Sequence, residues 1–425
     1  VSSIPEGFVD EKSKECEEAL SANKGLLEGL RILDLSTYVA GPSGMMGLAQ
    51  MGAEVIRIDP LGGATDVRRL PVDANGHSLY WAGLNKGKRS IEIDIRSDQG
   101  RKIVEDLLAN SGPEGGIVLT NAVGNAWLSY EHLVGVRPDL IFVHITGRED
   151  GKPAVDYTVN CEVGLPYVTG PADFERPVNH VLPAWDLVTG AHAATAILAA
   201  QLHRLKTGEG RHITIALADV AIATMANLGF VADVVVNDTA RLRDGNYLFG
   251  SFGCDFRTKD GDRVMVVALT DRHWRNLIAM TDTADAISAL ERSLDVKLSE
   301  ESARYQYREL LAALFAPWFE SHNTQAVHEG LEKSQVLWGP YRTIEEMVRD
   351  KESLYSKSTL FENVNYRGIG VLPTPKAVAR GTGSDGPPAP ASLLGEDTDE
   401  VLHEILGLDQ QAIDALRRSG VIGGA

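Results

Sequence analysis

Leu30-Arg31-Ile32-Leu33-Asp34-Leu35, then Ser43 to Met51, then Val55-Ile56-Arg57-Ile58 follow one another near the start of the chain. Ile32 to Leu35 reads as a first short strand run, Ser43 to Met51 as an apolar segment of helical spacing and Val55 to Ile58 as a second strand run. Strand, helix and strand at such short range is the pattern of a parallel sheet crossed by a helix. The pattern then repeats, with Ile91 to Ile95 as a strand and Gln99 to Leu108 as a helix. Ile117 to Leu119 and Leu140 to Ile145 are apolar at consecutive positions, as strands covered on both faces are. Leu187 to Leu205 reads as one long helix stopped by Gly208 and Gly210, followed by a strand at His212 to Leu217 and an apolar helix at Ala218 to Val235. The fold class expected is α/β, a parallel sheet with helices on both sides.

After Asn237 the texture changes. Arg241 to Gly253 is rich in glycine, arginine and aromatics, and Asp260-Gly261 reads as a hairpin turn before a strand at Val264 to Leu269. Helices are expected at Asp271 to Thr281, Ala303 to Phe315, Gln325 to Glu332 and Ile344 to Asp350. A long irregular stretch follows, ending in Pro387-Pro388-Ala389-Pro390, and it reads as a linker. Two short helices, Thr398 to Leu406 and Asp409 to Arg418, finish the chain. The 425 residues exceed what one compact domain usually holds. The division expected is an acidic extension at 1–25, a large domain at 26–225, a small domain at 226–335, and a return to the large domain at 336–425.

The 41 basic and 59 acidic side chains leave a net charge of −18, which argues against nucleic acid or an anionic membrane as partner. A polyanionic ligand needs a local basic patch. Cys16, Cys161 and Cys254 are too few and too far apart for a disulfide framework or a thiolate metal site, and the reducing cytoplasm suits them. Leu187 to Leu202 is interrupted by Thr189, His192, Thr195 and Gln201, so it reads as a buried helix rather than a membrane span. Residues 1–25 lack the long apolar core of a signal peptide.

Gly41, Gly44 and Gly47 follow the first strand, but at G-x-x-G-x-x-G spacing rather than the G-x-G-x-x-G of a dinucleotide site, so close helix packing explains them better. Asn85-Lys86-Gly87-Lys88-Arg89-Ser90 sets three cations in four positions just before a strand. Phosphates are one natural partner for such a cluster, and water is the other. Asp186 stands directly ahead of the long apolar helix, where a carboxylate caps backbone N–H groups and is held ionised by the dipole. An ionised carboxylate is also a nucleophile toward a thioester. Asp156 opens another segment and reads as a turn or cap. His144, His180 and His192 are scattered, with no metal-ligand spacing, and no metal site is expected.

Taken in order, these segments resemble the class III coenzyme A transferases, from about Leu27 to Gly420. The resemblance rests on Leu30 to Leu35, Ala40-Gly41-Pro42, Met51-Gly52-Ala53-Glu54-Val55-Ile56-Arg57-Ile58, Leu84 to Ser90, Lys206-Thr207-Gly208-Glu209-Gly210-Arg211 and Leu394-Gly395-Glu396-Asp397-Thr398-Asp399-Glu400. It implies Asp186 as the catalytic carboxylate and Asp156 as a second acidic residue that positions substrate. It implies a coenzyme A site at Asn85, Lys86, Lys88, Arg89 and Asn121. Tyr38, Val39, Gly250, Ser251, Phe252 and Gly253 fall at substrate-facing positions. It further implies a Rossmann-like large domain with a smaller inserted α+β domain, an interlocked homodimer, and coenzyme A as part of the substrate with no other cofactor.

The departures narrow the activity. Val39 stands where the formyl-CoA branch has glutamine, and Val155 stands where the racemase branch has the histidine of a two-base pair. Phe249-Gly250-Ser251-Phe252-Gly253 replaces a longer glycine-rich lid. Gly147 to Gly151, Val155 to Asn160, Gly164-Leu165-Pro166, Asn179 to Asp186 and Gly245 to Gly250 resemble a branch that moves coenzyme A from the C1 to the C4 carboxyl of one C5 diacid, mesaconate. That branch serves glyoxylate assimilation in a carbon-fixing cycle. The nearest alternative is transfer between two separate acids such as succinate and mesaconate. A Rossmann-type oxidoreductase and a non-catalytic coenzyme A binder are the alternatives from other classes.

Overall fold

The computed structural model describes residues 25–239, 241–379 and 387–424, so nearly all of the 1–25 extension lies outside the described residues. By internal contacts the chain falls into two units. The first takes the chain up to Val163, Val181–Gly229 and the part from Thr359 onward; the second takes Gly164–His180 and Phe230–Ser358.

In the first unit six strands form one sheet: β1 (Arg31–Leu35), β2 (Glu54–Asp59), β3 (Arg89–Glu92), β4 (Ile117–Thr120), β5 (Ile141–Thr146) and β6 (Arg211–Ala216), in the order β3-β2-β1-β4-β5-β6. Every pairing is parallel, with Leu33 opposite Ile56 on one side and Val118 on the other. This is the Rossmann order, and its direction reverses between β1 and β4, the place where open α/β sheets bind ligands. Alternate strand residues serve two cores. Ile32, Ile141 and Val143 pack with Met45, Leu48, Ala193 and Ile197 on one face. Leu33, Ile56 and Phe142 pack with Ile103, Leu107, Val401 and Leu402 on the other.

Three helices place the site: α1 (Ala40–Gln50), α2 (Asp156–Glu162) and α3 (Ala184–Thr207). α1 and α3 cross at Gly44 and Gly190, where a Cβ on Gly44 would lie 2.3 Å from the Gly190 carbonyl oxygen. Of the three spaced glycines Gly44 makes the helix crossing, Gly41 packs against Ser36 and Leu119, and Gly47 faces open space. α3 ends at Gly208, whose φ of +76° makes the left-handed stop. The apolar run from Ala218 is two helices rather than one, Leu217–Asn227 and Phe230–Asn237, broken at Gly229 with φ +85°. Among the described residues no single helix is long and apolar enough to cross a membrane.

The stretch read as an irregular linker contains an antiparallel hairpin, Phe361–Tyr366 with Gly370–Pro375. Pro373 and Pro375 hid it, since proline is excluded from central strands but tolerated in a two-stranded sheet with free edges.

In the second unit Phe252–Arg257, Arg263–Ala268 and Leu337–Pro340 form an antiparallel sheet over a core that includes Trp274, Leu277, Phe315 and Phe319. Leu337–Pro340 completes this sheet, so the unit runs past 335.

Candidate active site

Asp186 is the third residue of α3, two positions inside the helix rather than at its cap, which is Pro183. The capping role read for it belongs to Asp156, the first residue of α2. The Trp185 and Asp186 backbone N–H groups donate to Asp156 Oδ2 at 2.7 and 3.3 Å. Trp185 Nε1 donates to Asn160 Oδ1 at 3.1 Å, pinning the same turn to α2. The side chain of Asp186 is thus free of capping duty while its backbone is clamped. Burial, together with the neighbouring Asp156 carboxylate, raises its carboxyl to about 6, and Arg69 draws it back down. The dipole alone would have lowered it, and desolvation wins.

The turn from β1 into α1 lies at the sheet's switch point. Asn121, just past β4, clasps it: Thr37 N–H donates to Asn121 Oδ1 at 3.2 Å and Asn121 Nδ2 donates to the Thr37 carbonyl at 3.1 Å. Tyr38 takes φ +69°, uncommon for a side-chain-bearing residue. It is held there by its N–H donating to Asp66 Oδ2 at 3.0 Å and its hydroxyl accepting from Thr65 Oγ1 at 2.8 Å. Val39 is buried and caps α1, so its side chain packs.

The basic cluster is turned inward. Lys88 is buried, and its ammonium donates to Asp34 Oδ2 at 2.8 Å and Asn85 Oδ1 at 2.9 Å. Asn85 Oδ1 also accepts from Arg57 Nη1 at 3.1 Å, and Arg57 forks onto Asp59 and Asp66. Lys86 is buried with its ammonium on the Gly83 carbonyl at 2.8 Å, and Arg89 pairs with Glu54 and Glu404 at 3.0 and 2.6 Å. Burial lowers the Lys88 ammonium, with Asp34 opposing. Lys88 is thus a structural cation, since a buried ion pair keeps its charge only while its partners stay; Lys86 ends on a backbone carbonyl and no carboxylate, and the carboxylates that Arg89 meets are partly exposed.

Gly250, Ser251, Phe252 and Gly253 belong to the second unit. Phe252 is wholly buried, edge-on to Trp274 and Phe315, and Ser251 is buried with its hydroxyl 3.4 Å from the Ala268 carbonyl. Their side chains are core. Gly250, at φ +80° with open space where a Cβ would stand, leaves its backbone accessible.

Two side chains around Asp186 escaped the sequence reading. Arg69 lowers its carboxyl against burial and Asp156, and Tyr80 has its phenol raised by burial and by the Asp186 charge, with Arg69 opposing. The Arg68-Arg69 pair in an acidic chain was the available signal. A cavity of about 310 Å³ lies in the first unit, lined by Arg68, His77, Trp81, Tyr366, Arg367 and Leu394 but not by Asp186.

A Rossmann-ordered sheet with a part-buried carboxylate in the first turn of a long helix is the frame of an α/β enzyme, and residues 27–398 match the family described as CoA-transferase family III. The chain belongs to that family. It is 46% identical over 403 residues to 2-methylfumaryl-CoA isomerase of Chloroflexus aurantiacus, covering 94% of this chain and 98% of that one. It is 29% identical to succinyl-CoA:glutarate CoA-transferase of Mus musculus, over 93% and 90% of the two chains. In fold it resembles a CAIB/BAIF family protein from Brucella suis, with a TM-score of 0.72, 24% identity, and 90% and 100% of the chains covered.

Proposed function

We propose that the protein is an intramolecular coenzyme A transferase that moves the thiol carrier from the C1 to the C4 carboxyl of mesaconate. The observation that carries the reading is the setting of Asp186: a carboxylate part-buried, its backbone fixed by Asp156, its carboxyl raised to about 6 and so still ionised at neutral pH. The 46% identity to the Chloroflexus isomerase supports the choice of substrate.

In the proposed sequence the Asp186 carboxylate attacks the C1 thioester, forming a mixed anhydride and releasing the coenzyme A thiolate. The thiolate then attacks the Asp186 carbonyl, giving an aspartyl thioester and mesaconate. The C4 carboxylate of the retained mesaconate attacks that thioester, expelling the thiolate and forming a second anhydride, which the thiolate cleaves at the C4 carbonyl to give the C4 thioester and free the Asp186 carboxylate. Each step exchanges one acyl bond for another, so no external acid is consumed. Retaining both halves replaces a bimolecular encounter, an advantage of up to about 7 to 11 kcal/mol. Asp156 acts by positioning. A homodimer in the cytoplasm, serving glyoxylate assimilation in the 3-hydroxypropionate cycle, completes the proposal.

The test is chromatography of the purified protein with mesaconyl-C1-CoA alone and labelled free mesaconate as exchange probe, beside Asp186→Ala. The expected outcome is unlabelled C4 thioester from the wild type and none from the variant. Turnover only after a second acid is added would make the enzyme an intermolecular transferase.

A further inference from the structure

Both ends of the proposed substrate are carboxyls, and the mechanism needs the one that is not reacting to be held while the other meets Asp186. The structure offers a cation for this that the family motifs did not single out. Arg69 is exposed and follows the short turn Thr65–Arg68, whose Asp66 is locked by Arg57. Its own carbonyl accepts from Ser78 Oγ at 2.5 Å, fixing its backbone. Its guanidinium lies over two aromatic rings, 5.5 Å from the Tyr38 centroid and 5.1 Å from the Tyr80 centroid. Stacking on the ring faces orients the planar fork and leaves its N–H edge for a ligand.

Arg69 contrasts with the cations around it. Arg57, Lys88 and Arg89 each end on carboxylates. Among the described residues Arg69 ends on none. Its position relative to Asp186 follows from packing: Tyr38 leads into α1, α1 crosses α3 at Gly44 and Gly190, and Gly190 is one turn from Asp186 on α3. Its charge also reaches Asp186, which it makes more acidic. Tyr80, whose ring lies under the same guanidinium, has its hydroxyl buried and without a hydrogen-bond partner.

We propose that Arg69, stacked on Tyr38 and Tyr80, is the anchor for the distal carboxylate of a dicarboxylic acyl-CoA. The inference rests on the proposed function and adds how the diacid is retained. A fork of fixed position serves either end, because the two carboxyls of a rigid trans diacid are equally far apart whichever one faces Asp186. After the first transfer the freed C1 carboxylate exchanges places with C4, and the same guanidinium takes it bidentately.

Arg69→Gln tests the anchor, with Arg69→Lys as the charge-retaining control and intact-mass analysis as the readout. With mesaconyl-C1-CoA, Arg69→Gln is expected to isomerise roughly 100-fold more slowly. It is also expected to release one equivalent of mesaconate while a coenzyme A adduct on Asp186 accumulates. That adduct clears when excess mesaconate is added, and Arg69→Lys falls between. A merely structural role would lower the rate without escape of the diacid or build-up of the adduct. Unchanged isomerisation, or slow isomerisation with neither mesaconate release nor adduct, overturns the proposal. Failure of the intramolecular reading itself shows separately, in the wild type, as a requirement for added acid. Arg69→Gln would then raise KM for an added diacid but not for a monoacid, and equal effects on both would overturn the anchor.

Discussion

A carboxylate attacks a thioester only when ionised, so with Asp186 as the proposed nucleophile its raised value predicts an acid limb on activity. With the carboxyl at about 6, kcat/KM is expected to fall as pH drops through that value, to about a tenth one unit below it. A pH–rate profile checks this, and a limb near 4 would mean a solvated group. The same shift has a stability consequence of opposite sense. The folded carboxyl holds its proton more tightly than the ordinary value of 3.8. The native state therefore binds more protons across that window, and stability falls as pH rises from about 4 to about 6. Above the window the ionised group destabilises the fold. Asp186→Asn removes this cost, so the inactive variant is expected to resist denaturant better than wild type at pH 8, by about 1 to 3 kcal/mol, and no better near pH 4. The sequence marked Asp186 through its place before an apolar helix. Arg69 and Tyr80 were not legible beside it, because they lie far upstream and the stacking of Arg69 on Tyr38 and Tyr80 is encoded in no local pattern.

The helices and strands carry the next set of expectations. α3 begins where it does because Asp156 supplies, from another helix 30 positions earlier, the acceptor its first N–H groups lack. Asp156→Ala is expected to lose about 1 to 2 kcal/mol of stability and, with the first turn displaced, about 100-fold in kcat. Asp156→Asn keeps an acceptor but removes the like charge that raises Asp186, so the acid limb should move to lower pH. An unmoved limb would show that the two carboxylates do not sense each other. Across the sheet, Lys88 ties the start of β3 to Asp34 of β1. Lys88→Met is expected to cost about 3 to 5 kcal/mol in a denaturant melt while leaving KM for the thioester unchanged; a selective rise in KM would return Lys88 to ligand binding. Three cations in four positions look alike whether they face water, phosphate or buried acids, and the acid that holds Lys88 is 54 residues away. The strands were legible for the opposite reason: Ile117 to Leu119 need no distant partner to read as covered on both faces.

At the scale of the whole chain, the alternation of strands and helices announced a parallel sheet, whereas its order β3-β2-β1-β4-β5-β6 depends on crossovers that spacing does not contain. The second unit was anticipated from the change of texture after Asn237, but not its use of Gly164–His180, which sits between two helices of the first unit. The proposed homodimer has a physical motive in the second unit, where Val234, Val235 and Val236 of helix Phe230–Asn237 are 53, 77 and 78% exposed. Light scattering is expected to give twice the chain mass, and Val235→Asp with Val236→Asp to give a monomer; a wild-type monomer would end the proposal. Gly164–His180 also leaves the first unit just after α2 and rejoins it just before α3. Its two covalent roots therefore straddle the bond between Asp156 and the backbone of Trp185. A tug along that segment meets the Tyr157 hydroxyl on the Val181 carbonyl and then this fastening, and the proposed nucleophile is the next residue along the thread.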